Sequence, residues 1–386
     1  MIVIADDITG AAEIAGIAFS QGQQVRLVCG DFCGCDTATC GTMVIATDTR
    51  SMPEAEAVAE TRRIQLPHSL DGRRLLFKKT DSALRGHVVG ELTALMETAG
   101  YQRAVYLPAN PSKGRIIKNG IYYIKEVRGQ GSEIREVPIA ETAFNYDPEF
   151  PARTSVVKER FPDAEVKGII MPNAESEEDI KKVIDEYNDG KTLFAGAADL
   201  FKALLKDDGG GSDEDYGNGS EDSLFKENGI TQSHPHHPSL STLVLCGSTQ
   251  SKPLDLGIPI TPMPIVVYDG NEDISQWDTN KYQETHSLIL TIPYTHRTGK
   301  ETAVHLRTMM AQKAKELIVE HCPNHLIIEG GATAWATLQA LGWNQFDIVA
   351  QIAPGVVQMS ATNGTLVTLK PGSYSWGNFF SSSTNK

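Results

Sequence analysis

The feature that most constrains this chain is a repeated alternation of short apolar runs with amphipathic stretches at helical spacing. Apolar runs at 2–5, 25–29, 43–46, 75–77 and 104–107 have the length of buried strands, and 11–20, 54–63 and 88–98 place apolar residues three and four positions apart between several of them. Strand-then-helix units repeated in this way predict a mostly parallel sheet with helices on its faces and right-handed connections. The texture changes after Leu107-Pro108-Ala109-Asn110-Pro111, where Gly114, Gly120 and the alternating Ile121-Tyr122-Tyr123-Ile124 predict a loop followed by a hairpin. The βα pattern returns with strands at 168–171 and 192–194 and helices over 176–187 and 198–206. A second series then predicts strands at 242–246, 265–268, 287–291, 325–328 and 348–352, with helices over 302–320 and 332–341.

At 386 residues the chain exceeds one ordinary hydrophobic core, so the two series read as two α/β domains with a cleft between them, 1–206 and 241–386. Between them, 207–240 has no periodicity. Its first part holds Asp207, Asp208, Asp213, Glu214, Asp215, Glu221 and Asp222 with no Lys or Arg among glycines and serines, and its second part is His/Pro-rich; it reads as a flexible insertion or linker. A net charge of −14 argues against a nucleic-acid partner. No apolar run approaches the roughly 20 residues of a membrane helix, and the start lacks the basic region of a signal peptide, so the expected location is cytoplasmic, without a membrane partner. Cys29, Cys33, Cys35 and Cys40 lie close together but lack a C-x₂-C pair or a nearby His, and read as reduced thiols rather than a zinc site. His234, His236 and His237 read as linker rather than metal ligands.

Two polar clusters stand out against this scaffold. Phe77-Lys78-Lys79-Thr80-Asp81-Ser82-Ala83-Leu84-Arg85-Gly86-His87 joins the end of an apolar run to a helical pattern, so it occupies a strand-to-helix turn, where open α/β sheets bind ligands. Arg85 offers a planar fork for a carboxylate or phosphate, the lysines add positive charge, and Asp81 and Ser82 can hydrogen-bond hydroxyls. A small, anionic, hydroxylated ligand would fit; the plainer alternative is a helix N-terminus capped by Asp81 or Ser82 with solvated lysines. Asp6-Asp7-Ile8-Thr9-Gly10-Ala11 places two carboxylates and a hydroxyl at the corresponding turn after the first strand, able to bind hydroxyls, hold magnesium or accept a proton, or simply to cap the first helix. Their coincidence on one sheet edge favours a site.

These residues resemble the four-carbon acid sugar kinase family. Ala5-Asp6-Asp7-Ile8-Thr9-Gly10-Ala11, Asp48-Thr49-Arg50-Ser51, Lys78 to Gly86, and Pro108-Ala109-Asn110-Pro111 with Gly114-Arg115 look like its successive motifs, in order and in spacing. Cys246-Gly247-Ser248, Glu329-Gly330-Gly331-Ala332-Thr333-Ala334, Ile352-Ala353-Pro354-Gly355-Val356 and Leu369-Lys370-Pro371-Gly372-Ser373 are similar to its nucleotide-binding half. The resemblance covers nearly the whole chain outside the acidic insertion. It implies an ATP-dependent kinase of threonate, erythronate or 3-oxo-tetronate, using Mg2+, with an N-terminal acid-sugar-binding domain and a C-terminal nucleotide-binding domain. By position, Asp6, Asp7, Lys79, Asp81, Ser82, Arg85, Gly86 and Arg115 would face the acid, with Asp7, Asp81 and Arg85 in catalysis and either aspartate as proton acceptor. Ser248, Gly330, Gly331, Ala332, Thr333, Gly355 and Gly372 would contact ATP. No protein-held metal site is implied; the expected partners are the sugar acid, ATP and, with no stoichiometry decided, further copies of the chain in a homo-oligomer.

Physical chemistry is compatible with that transfer. Gly330-Gly331 separates a predicted strand from a predicted helix, so backbone N–H groups and the helix dipole could meet a phosphate, although a Gly-Gly turn alone is a weak signal. The family usually has an acidic residue where Ala332 stands, which bears on a magnesium or ribose contact there and raises the alternative of an acid sensor without turnover; Glu13 replaces the commoner Asp. Thr298-Gly299-Lys300-Glu301-Thr302 looks like part of a P-loop but fails, because Tyr294 stands at the first glycine and Glu301 at the magnesium-binding Ser/Thr. No G-x-G-x-x-G follows the first strand and no G-x-S-x-G occurs.

Overall fold

In the structure, a computed structural model, residues 1–30, 41–64, 76–128, 133–147, 150–208, 241–248, 256–293, 297, 299–372, 374–377 and 379 are described. Cys33, Cys35 and Cys40, the insertion from 209 to 240 and the P-loop-like Tyr294 and Thr298 lie outside them. The N-terminal series gives strands β1 (Ile2–Ala5), β2 (Val25–Cys29), β3 (Thr42–Ala46), β4 (Leu76–Lys79) and β5 (Arg103–Leu107). The predicted hairpin is a separate three-stranded antiparallel sheet of β6 (Arg115–Lys118), β7 (Ile121–Arg128) and β8 (Glu133–Pro138), followed by β9 (Ile169–Ile170) and β10 (Thr192–Gly196). The C-terminal series contributes β11 (Thr242–Cys246), β12 (Ile260–Pro262), β13 (Ser287–Thr291), β14 (His325–Glu329), β15 (Gln345–Ala353), β16 (Val356–Ala361) and β17 (Leu366–Lys370). Helices α1 (Ile8–Ser20), α2 (Glu54–Arg63), α3 (Val88–Ala99), α4 (Val157–Arg160), α5 (Glu177–Tyr187), α6 (Ala198–Asp208), α7 (Ile265–Tyr268), α8 (Lys281–Thr285), α9 (Lys300–His321) and α10 (Gly331–Leu341) cover the faces.

The α/β class and the two predominantly parallel sheets agree with the sequence. What periodicity does not reveal is that the two sheets run on, edge to edge, as one of 14 strands, in the order β12-β13-β11-β14-β17-β16-β15-β2-β3-β1-β4-β10-β5-β9. Pairing is antiparallel at the seam alone, where β15 joins β2 through Gln345↔Val28, Phe346↔Leu27 and Asp347↔Arg26, and in the neighbouring β15–β16 and β16–β17 pairs. Three reversals make β14 run against β1. Six interstrand steps separate them, and at about 20–25° of twist each these rotate one half by roughly 120–150° relative to the other. Reversal and twist together bring the carboxyl ends of both halves toward one side, where Gly331, just beyond β14, comes close to Thr9, just beyond β1.

Helix α1 explains why the halves hold together. Asp7 caps it, accepting from Gly10 N at 3.0 Å, and Ile8, Ala11, Ala12, Ile14, Ala15 and Ala18 are buried around its circumference. A surface helix shows one apolar stripe; one apolar all round is enclosed. Here α1 packs on β1, β2 and β3 and also against β15, β16 and α10 of the C-terminal half, with Gly16 in a close approach to Val357.

One predicted strand is corrected. Residues 265–268 form the short helix α7, and the strand of this region is β12. Ile265 and Val266 are exposed while Val267 and Tyr268 are buried, a grouping that a two-residue strand period cannot give, and Pro264 lacks the N–H a sheet ladder requires while suiting a helix start. No helix among the described residues is long and apolar enough to cross a membrane.

Candidate active site

Strand β1 lies between β3 and β4, with Ala5 opposite both Ala46 and Lys79, so the turns after all three leave the sheet at one edge. Arg50, from the turn after β3, is the hub. Its Nη2 and Nε contact Asp6 at 2.7 and 3.0 Å, Nη2 also reaches Asp7 at 2.9 Å, and Nη1 lies 3.8 Å from Asp81. Asp7 accepts from Thr9 Oγ1 at 2.5 Å as well. Burial alone would raise the Asp7 pKa, but Arg50, Lys79 and the Thr9 hydrogen bond outweigh it and hold the carboxyl below its ordinary value.

Asp81 accepts from Ala83 N at 2.8 Å, and Arg85 grips it with two prongs, Nε at 3.0 Å and Nη2 at 2.9 Å. Burial opposes ionisation here too, yet Arg85, Arg50 and Arg115 drive this carboxyl far below the usual carboxylate range. The third nitrogen of Arg85 reaches Asp147 at 3.3 Å. Arg115 donates to the Ser82 hydroxyl, and the Phe144 ring lies 5.6 Å from its guanidinium carbon and 5.9 Å from that of Arg85. Arg115 forms no ion pair with a carboxylate among the described residues. Gly86, at φ 97°, is in the left-handed region where a side chain would also press on Asp6.

The two lysines of the turn part company because successive strand residues face opposite ways. Lys78 is 1% exposed and paired with the equally buried Glu91 of α3, which also accepts from Thr49 at 3.0 Å; it belongs to the core, not the site. Lys79 points to the site, 3.4 Å from Glu13 Oε2. Glu13 Oε1 receives Lys113 at 2.5 Å and the Tyr374 hydroxyl at 3.1 Å. Asp48 has left-handed backbone at φ 54°, and its carboxyl makes no hydrogen bond or ion pair with a described residue. Burial first, then the charge of Asp7, pushes its pKa up to about 7 against the pull of Arg307 and Arg50.

The second cluster is built where β11, β14 and β17 end. Gly330, at φ 105°, turns the chain from β14 into α10, beside Gly247 and Ser248. A β-carbon on Gly372 would collide with the Ser248 hydroxyl, and one on Gly247 with Thr333. Beneath, Lys370 donates to Glu329 at 2.8 Å and to the carbonyls of Pro371 and Gly372 at 2.9 and 3.2 Å. Backbone held this close, at the N-terminus of an eleven-residue helix, suits an anionic phosphate chain. Gly331 lies where the two clusters meet: a β-carbon there would stand 2.9 Å from Thr9 Cγ2 and 3.6 Å from Asp7 Oδ2.

Asp6, Asp7, Lys79, Asp81, Ser82, Arg85, Gly86 and Arg115 thus share the first cluster, and Ser248, Gly330, Thr333 and Gly372 the second. Ala332 is exposed on the first turn of α10, and Gly355 lies against the Tyr374 ring. Among the described residues no three His, Cys, Asp or Glu side chains are grouped to hold a metal. Sequence reasoning did not assign Arg50, Asp48, Glu13, Lys113, Phe144, Asp147 or Tyr374. Arg50 and Asp48 stand inside a quoted motif and Tyr374 just beyond one, whereas Phe144 and Asp147 carry no local signal.

Comparison with known proteins agrees with this two-part arrangement. Residues 1–163 match a sugar-binding N-terminal domain and residues 264–374 a nucleotide-binding C-terminal domain. A D-threonate kinase of Cupriavidus necator is 34% identical over 135 residues, and a 3-oxo-tetronate kinase of Brucella melitensis is 24% identical over 98% of this chain and 93% of its own. The chain belongs to the four-carbon acid sugar kinase family. The match to the Cupriavidus relative spans 32% of that protein's length. Crystal structures of proteins from Salmonella typhimurium and Haemophilus influenzae share the family fold over 98% of their chains, with TM-scores of 0.70 and 0.65 at 19% and 20% identity.

Proposed function

We propose that this family member transfers a phosphoryl group from Mg-ATP to a terminal hydroxyl of a four-carbon sugar acid of the threonate, erythronate or 3-oxo-tetronate class. Residues 1–206 would form the acid-binding domain and 241–386 the nucleotide-binding domain, with magnesium entering on the triphosphate as part of the substrate. The observation that carries the reading is Gly331 against Asp7 and Thr9, because it sets the phosphate-facing turn beside a carboxylate at the edge of the acid cluster.

The charge pattern divides the remaining roles. Arg50 is matched by Asp6 and Asp7, Arg85 by Asp81 and Asp147, and Lys79 by Glu13, which leaves Arg115, with Arg85 beside it, to receive the substrate carboxylate. Asp7 then orients the acceptor hydroxyl. As that oxygen bonds to the terminal phosphorus, the bond to the ADP oxygen breaks and the hydroxyl proton passes to Asp7. The lowered pKa of Asp7 suits a base that takes the proton late, when the attacking oxygen has become acidic. The N–H groups at the start of α10 and the Lys79 ammonium offset the charge of the transferred group, and positioning supplies most of the rate.

Coupled ADP release, measured with D-threonate, D-erythronate and 3-oxo-tetronate, tests the reading. Turnover with at least one acid, dependent on ATP and magnesium, is expected. Tight acid binding with no ATP consumption would make the chain a sensor, and neither binding nor turnover would overturn the assignment.

A further inference from the structure

One network crosses from the acid cluster to the nucleotide turn. Glu13 of α1 is 6% exposed, and its carboxylate meets three groups: Lys79 at 3.4 Å, Lys113 at 2.5 Å and the Tyr374 hydroxyl at 3.1 Å. Lys113 donates to the same hydroxyl at 2.6 Å and sits 4.0 Å from the centre of the Tyr374 ring. The ring is seated on Gly355, where any side chain would collide with it, and Tyr374 N donates to Pro371 O at 3.1 Å, closing the turn that carries Gly372. Lys113 is held from the other side, since Ser112 binds Asp199 through its N–H at 2.8 Å and its hydroxyl at 2.7 Å. Lys79 belongs to the acid cluster and Gly372 to the phosphate-facing turn, so two hydrogen-bonded side chains, Glu13 and Tyr374, span the distance between the ligands.

We propose that Glu13 and Tyr374 are positioning residues that couple the two halves of the site, so that the nucleotide and the sugar acid each bind more tightly when the other is present. This rests on the two-substrate reading above and adds the means by which the substrates sense each other. Lys79 is shared between Glu13 and whatever anion enters the acid cluster. A nucleotide seated against Gly372 keeps the Tyr374 hydroxyl where it stands; that hydroxyl and Lys113 hold Glu13 on their side, and the Lys79 ammonium turns toward the incoming acid. The same linkage runs in reverse, because a coupling free energy between two sites is reciprocal.

Tyr374→Phe keeps the ring on Gly355 and over Lys113 but deletes both hydrogen bonds, and Glu13→Gln keeps size while removing the charge. Binding of D-threonate, D-erythronate and 3-oxo-tetronate is measured calorimetrically with and without the non-hydrolysable analogue AMP-PNP, alongside thermal unfolding. In the natural protein AMP-PNP should tighten the bound acid about 5-fold or more, the lower end of typical coupling. In Tyr374→Phe that factor should fall to within about 2-fold of unity. The variant should remain folded and bind each ligand alone nearly as before. Glu13→Gln should lose the coupling as well and serves if Tyr374→Phe proves unstable. Absence of coupling in the natural protein, or coupling that both variants retain, overturns the proposal while leaving the kinase reading intact. Failure of every acid to bind or turn over overturns that reading itself.

Discussion

If the two clusters meet at Gly331, adding a single methyl there should separate them. In Gly331→Ala the new carbon stands 2.9 Å from Thr9 Cγ2 and 3.3 Å from Thr9 Oγ1. Carbon pairs prefer about 3.5–4.0 Å, so the loop after β1 and the start of α10 must part by roughly 0.6–1.1 Å. As overpacking this costs about 1–3 kcal/mol. The catalytic effect should exceed the effect on stability, since a displacement near 1 Å between reacting groups can reduce rate about 100-fold. We expect kcat, followed by coupled ADP release with the best acid of the panel, to fall about 10- to 100-fold, or about 1.4–2.7 kcal/mol. Thr9→Ser removes the obstructing methyl and keeps the hydroxyl that donates to Asp7, so in the double variant most of the lost rate should return. A Gly331→Ala enzyme with full kcat, or a folded double variant no faster than Gly331→Ala, would refute the placement of the transfer step at this contact.

Two further outcomes follow from the electrostatics. Asp7→Asn should spare nucleotide affinity and lower turnover about 10²–10⁴-fold, whereas Asp81→Asn should mainly raise the KM for the acid by releasing Arg85; the opposite pattern would move the base to Asp81. Asp48 is pushed up to about 7 in the folded protein from an ordinary value near 3.8, so the folded state holds this proton more tightly, and stability present at pH 4 is lost as the pH rises through 7. Asp48→Asn should therefore leave the denaturation midpoint unchanged at pH 4 and raise it at pH 8, and equal midpoints for the two proteins at pH 8 would exclude a half-buried, unpaired Asp48 carboxylate.

Much of this arrangement is legible in the sequence because the βα period is written locally. β1, β2 and both ends of α2 lie where the apolar pattern puts them, and Asp6, Asp7, Asp81 and Arg85 converge because strand ends of one parallel sheet converge. What escapes is whatever depends on partners far along the chain. Lys78 and Lys79 look alike in the sequence, but the strand period sends one to Glu91 and the other to the site. Arg85 reads as an open fork until Asp81, four residues before it, is seen to fill that fork. Phe144 and Asp147 lie in a short helical turn beyond the second sheet, with no motif to mark them. The β-branched and aromatic run at 265–268 has strand propensity but is overridden by Pro264 and by which side chains the core accepts.

The shared sheet also bears on how the two halves of this protein could move. Two independent domains could hinge about a linker, as the sequence alone suggests, but here β15 and β2 are hydrogen-bonded through the seam and α1 is covered by both halves. Swinging the halves apart would break that ladder and uncover the face of α1 that packs on β15, β16 and α10, where Gly16 meets Val357. Uncovering apolar surface costs about 25 cal/mol per Å², so such a motion is unfavourable even before the hydrogen bonds are counted. On the proposed kinase reading, exclusion of water would fall to the edge turns themselves: the Arg85–Asp147 contact on the acid side, the turn that carries Gly372 on the nucleotide side, and the Glu13, Lys113 and Tyr374 network between them. Because the sheet is continuous through the antiparallel seam, any closure that leaves the ladder intact has to come from the turns at its edge, and Gly331 and Asp7 sit on opposite halves of that one sheet.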